Sequence, residues 1–170
     1  KRFSAHRSYV GFESLLMGRD VAKDIDSIFH LIPDSYSLFS SLAPRAGGRN
    51  LTRMMKIWYW YYAHLTDRWG FIDVRAAEKT LALVHKGFRF LFVVTPGIDE
   101  LSHLAHPHHE KTFERYAWLD GFVGELAGTL HARGEWDSTQ VWIVSDHGLS
   151  KTDHHYCLND LLEKHGFPPL

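Results

Sequence analysis

Phe90-Leu91-Phe92-Val93-Val94-Thr95 and Val141-Trp142-Ile143-Val144 are two short apolar runs, separated by one long amphipathic segment from His109 to Ala132. Runs this short, rich in β-branched and aromatic residues and bounded by turn residues, read as buried strands. The segment between them puts Phe113, Tyr116, Ala117, Val123, Leu126, Ala127 and Leu130 on one side of a helix. Strand, crossover helix and strand predict a parallel βαβ unit of right-handed sense. Arg133-Gly134 ends the helix, Trp136-Asp137-Ser138 turns the chain, and a last helix is expected over Leu158 to Lys164. The class that follows is α/β, with a largely parallel sheet and helices on both faces.

Working back from Phe90, the spacing predicts a helix over Val74 to His85, closed by Gly87. Another is expected over Leu51 to Trp69, with Met54, Trp58, Tyr61, Tyr62 and Leu65 at helical intervals. Residues 40 to 50 read as a loop, and Val10 to Phe39 as short helical or irregular pieces. One such piece, Ser27 to Ile32, is stopped by the turn pair Pro33-Asp34. The 170 residues fit a single domain. Because the chain starts at Lys1 and stops soon after its last helix, a segment of a longer domain is expected.

The net charge of -1 removes the electrostatic case for a nucleic-acid polymer or an anionic membrane as partner. The one cysteine, Cys157, cannot form an intramolecular disulfide, so the chain requires no oxidising compartment. No signal peptide and no apolar stretch of membrane-spanning length is visible, which is compatible with the cytoplasm.

Each apolar run is followed by an aspartate and a histidine: Asp99…His103 after the first, Asp146-His147 after the second. Such pairs at the ends of buried strands are costly to desolvate unless something compensates them. A divalent metal compensates both, since carboxylate oxygen and neutral imidazole nitrogen are standard zinc ligands. In open α/β sheets, ligands bind beyond the carboxyl ends of parallel strands. Strands about 5 Å apart could therefore converge these side chains on metals about 3.5–4 Å apart. Asp99 and His103 lie one helical turn apart and share a face, and Gly148 lets the backbone bend after the second pair.

Asp-x-x-x-His followed by Ser145-Asp146-His147-Gly148, with Tyr116-Ala117-Trp118-Leu119-Asp120 between them, resembles the alkaline phosphatase superfamily. The similarity is greatest to its type I phosphodiesterase/nucleotide pyrophosphatase branch, and it covers Phe90 to Gly166 best. The resemblance implies a hydrolase of small phosphoesters with two metal ions, usually zinc. It assigns Asp99 and His103 to one metal and Asp146 and His147 to the other. It also implies a Thr or Ser nucleophile, but no strand followed by an Asp-Gly pair or a nucleophile turn is found between Lys1 and Asn50. The alkaline-phosphatase-like core is thus expected to be incomplete. A third histidine for the first metal is usual further on, and His154 and His155 are the candidates here.

Plainer readings stand beside these. Asp146-His147 also fits an exposed strand-end turn, and His106, His108 and His109 fit loop and helix-start positions better than a ligand cluster. Asp120 reads as a buried, hydrogen-bonded structural group, and Trp58 to Tyr62 as core packing with one half-exposed ring face. Arg45, Gly47, Gly48 and Arg49 read as a surface loop rather than a phosphate cradle. The competing function is a non-catalytic α/β metal-binding or protein-interaction module.

Overall fold

The structure is a computed structural model that describes residues 26–39, 48–50, 53–154 and 156–167. A one-turn helix α1 (Ile28–Leu31) leads into strand β1 (Ser35–Leu38), and β2 (Gly48–Asn50) follows. Helices α2 (Arg53–Thr66) and α3 (Gly70–Lys86) come next, then β3 (Phe90–Val93) and α4 (Gly97–Ala105). The long helix α5 (Glu110–Ala132), a 3-10 turn (Trp136–Ser138) and α6 (Leu158–Lys164) complete the chain.

The sheet is parallel throughout, in the order β2-β1-β3, with Ser35 opposite Phe90 and Leu38 opposite Val93. Its centre is Ser35-Tyr36-Ser37-Leu38, whose alternation sends Tyr36 and Leu38 to one face. There they join Leu91 and Val93 against Ala63 of α2 and Ile72, Ala76 and Leu83 of α3, and this is the core. Phe29 packs edge-on against Phe90, with ring centroids 5.5 Å apart. Ser27 starts α1 through a capping box with His30, which satisfies amides that a four-residue helix leaves bare. At the end of α3, Gly87 has φ +87, a backbone conformation that a side chain would strain. No helix among the described residues is long and apolar enough to cross a membrane.

Several expectations need correction. Val141 to Val144 is not a strand: it is irregular and pairs with no strand among the described residues. Strand character belongs to pairs, and an apolar run without a ladder partner stays unpaired whatever its composition. Its side chains are exposed, Trp142 at 80%. The parallel crossover lies earlier instead, from β2 through α2 and α3 to β3, which pairs with β1. β1 falls where irregular structure was expected, and Gly48–Asn50, within the expected loop, pairs with β1. Residues 40–47, which include Arg45 and Gly47, lie outside the described residues.

Within α2, Trp58, Tyr61 and Leu65 point to solvent, while Ala63 with Tyr59 and Trp60 faces the core. On α5 the fully buried residues are Thr112 and Leu130; Phe113, Tyr116 and Asp120 are exposed, so Asp120 is not a buried structural group.

Candidate metal centre

The chain leaves β3 through Val94, Thr95 and Pro96 and enters α4 at Gly97, at the carboxyl edge of the parallel strands. Val94 N–H still donates to the carbonyl of Leu38 at 3.1 Å, so this exit is tied to β1. Asp99 sits in the first turn of α4, where a carboxylate also meets the positive end of the helix dipole. His103 lies one turn on, and its Nε2 is 3.5 Å from Asp99 Oδ1.

The Ser145-Asp146-His147 turn is held locally. His147 N–H donates to Asp146 Oδ1 at 3.1 Å, and Ser145 Oγ donates to the carbonyl of His147. This turn carries His147 Nε2 to 4.0 Å from Asp99 Oδ1 and 3.8 Å from Asp146 Oδ2. Asp99 is thus approached by an imidazole from each of the two segments. Asp146 is joined to the group only through His147, and its side chain is 89% exposed.

Ligands about 2.0–2.2 Å from a tetrahedral zinc stand about 3.3–3.6 Å apart. The Asp99–His103 separation of 3.5 Å falls inside that range, whereas His147 would have to close by about half an ångström to join them. Two carboxylates and two imidazoles are a suitable donor set in kind. A complete one is not assembled: among the described residues, no group of three or more His, Cys, Asp or Glu side chains is arranged to hold a metal ion. His154 is exposed and unconnected to the group by any ion pair or hydrogen bond, and His155 lies outside the described residues.

The histidines before α5 have another task. His106 Nδ1 accepts from His108 N–H at 3.0 Å, and His109 caps α5 by accepting from Lys111 N–H at 3.2 Å. With Nδ1 accepting, a neutral ring carries its hydrogen on Nε2 and keeps no lone pair for a metal.

Against this geometry, the family model for type I phosphodiesterase / nucleotide pyrophosphatase matches residues 17–167. The chain belongs to that family. No curated protein and no solved structure matches it. Hydrolysis of phosphoesters at family level, within the alkaline phosphatase superfamily, follows from membership, and metal dependence is general in the family.

One polar group of this phosphodiesterase-family chain escaped the reading of its sequence. Asp73, on α3, is buried beneath the β3–α4 turn; Oδ1 accepts from Gly97 N–H at 3.0 Å and Oδ2 lies 3.6 Å from Arg115 Nη1 of α5. The signal was present, because Asp73 shares the buried face of α3 with Ile72, Ala76, Ala77 and Thr80. Burial raises its pKa from 3.8 to about 6, outweighing the Gly97 hydrogen bond and the Arg115 charge, both of which lower it. Beside the candidate ligands, Glu100 is also raised, first by burial and then by the charge of Asp99, against the lowering effect of His64 and His103.

The sign of the Asp73 shift sets a pH dependence. A carboxyl that holds its proton more tightly when folded stabilises the fold fully below pH 3.8, and loses that contribution as pH rises through about 6. The loss over this window is at most roughly 3 kcal/mol. Urea unfolding of wild type and Asp73→Asn at pH 4 and pH 7 should therefore show the variant gaining relative stability at the higher pH. An unchanged difference would mean that Asp73 titrates alike in folded and unfolded chains.

Proposed function

We propose that this chain supplies the metal-ligating edge of a phosphoester hydrolase acting on a small phosphodiester or nucleotide-like substrate, with Asp99, His103, Asp146 and His147 as ligands. The observation that carries the reading is the approach of His103 and His147 to one oxygen of Asp99, from segments about forty residues apart in sequence. Asp99 and His103 would hold one ion and Asp146 and His147 a second, zinc in both cases by donor chemistry. Bound there, the ions would supply positive charge against the phosphoryl oxygens.

The chain's own residues shape the site. The first turn of α4 orients Asp99 and spaces His103 from it. The Ser145 hydroxyl and the His147 amide hold the second turn in shape, so that both ligands of that pair come from one short loop. No nucleophile is assigned, since the sequence between Lys1 and Asn50 carries no Asp-Gly pair and no nucleophile turn is read there.

The incomplete ligand set among the described residues favours a second reading, a non-catalytic metal-binding or interaction module. Hydrolysis separates the two. The protein encoded by the whole reading frame, supplied with zinc, should cleave bis-p-nitrophenyl phosphate, and His103→Ala/His147→Ala should slow it by at least about 100-fold. Cleavage that survives the double substitution would contradict these ligands, and zinc binding without any cleavage would favour the module.

A further inference from the structure

We infer that Asp73 is a positioning residue for the ligand-bearing turn: its buried carboxylate, held from behind by Arg115, fixes the start of α4 and with it Asp99 and His103. The inference rests on the reading of Asp99 and His103 as metal ligands.

The physical need for such a group lies in α4 itself. Nine residues long, it has Pro96 at its N-cap, and Pro96 gives no side-chain cap to the first amides. The Gly97 amide is instead satisfied by Asp73, a residue 24 positions earlier on a different helix. The carboxylate therefore acts as the cap that α4 lacks, anchoring it to α3, which is fixed to the sheet through the core.

Arg115 completes the clasp from α5. Its guanidinium lies over the Trp118 ring, 4.8 Å from the centroid, and within 3.6 Å of Asp73 Oδ2. Three helices thus meet at one carboxylate, directly under the turn that carries the ligands. Two glycines record how closely the charged groups approach. A Cβ on Gly97 would collide with the Asp73 carboxylate, and a Cβ on Gly70 with the Arg115 guanidinium. An apolar filling of the same space would avoid burying a carboxylate, so the stability of the fold does not by itself call for this arrangement. What the clasp adds is a fixed origin for α4, with Asp99 two residues beyond the anchored amide.

The test uses the full chain in three forms: wild type, Asp73→Ala and Asp73→Asn. Zinc affinity is read by competition with a chromophoric chelator, and amide hydrogen exchange is read at Gly97 and Glu100. Asp73→Ala should weaken zinc binding by about tenfold or more, in the range seen for groups that orient metal ligands. It should also speed exchange at both amides by about tenfold or more. Asp73→Asn keeps an oxygen acceptor for Gly97 and should recover most of both. A folded Asp73→Ala chain that binds zinc like wild type overturns the inference. If Asp73→Ala does not fold, Gly97→Ala drives the carboxylate away while leaving Asp73 in place, and carries the same expectations. Wild type that binds no zinc sinks the ligand reading instead. The clasp is then decided by exchange alone, and unchanged exchange in Asp73→Ala would overturn it.

Discussion

Alanine at both Asp99 and His103 should weaken zinc binding by at least about 100-fold, more than the loss of any group that merely orients a ligand. The observed separation, 3.5 Å between Asp99 Oδ1 and His103 Nε2, already suits two ligands of one tetrahedral ion. Both side chains are about half exposed, so their mutual attraction in water contributes little and the fold should survive their removal. The expected signature is therefore lost metal with unchanged unfolding. Competition titration, together with urea denaturation of the metal-free proteins in chelator, would show it. A variant that loses stability and metal in parallel would instead mean that the two residues act through the fold.

The second large effect lies in the core. Trp69 is 2% exposed and meets Trp60 and His64 edge-on, with centroids 5.7 and 4.7 Å away. Trp69→Ala should cost about 3–5 kcal/mol, since the surrounding helices cannot collapse fully into the space of an indole. That is a large share of the roughly 5–15 kcal/mol that holds a domain folded. Trp58, on the outer face of α2 and 69% exposed, is the control: its alanine variant should stay within about 0.5 kcal/mol of wild type. Equal losses at the two positions in urea denaturation would contradict the orientation of α2.

The contrast between those tryptophans shows what the sequence could and could not say. From Trp58 to Tyr62 every residue is aromatic, so a period of 3.6 selects no face, and only packing against β1 and β3 turns Tyr59 and Trp60 inward. Helix ends were legible where local chemistry decides them: Gly87 at the close of α3, His109 at the start of α5, and both bounds of α6. β3 was legible as a compact apolar run. β1 is hard to see in Ser35-Tyr36-Ser37-Leu38: its strict alternation is a strand signal, but two serines mask a strand buried on both faces. Val141 to Val144 failed in the opposite sense, having a strand's composition without a strand's partner.

In the site, the closeness of Asp99 and His103 follows from one helical turn of spacing; that of His147 does not follow from a strand end, because Val141 to Val144 is not a strand. Asp73 and Arg115 could not be read in the same way. Their meeting depends on how three successive helices pack together, and a single aspartate on an otherwise apolar face does not name its partner.

The most direct test of the central claim is zinc content by elemental analysis after dialysis against buffer with trace zinc. Wild type would be compared with Asp99→Ala/His103→Ala and with Asp146→Ala/His147→Ala. Zinc retained by wild type, with a different part of it lost from each double variant, is the result expected of two ions held by these four side chains. Equal zinc in all three proteins, or none in wild type, would contradict it.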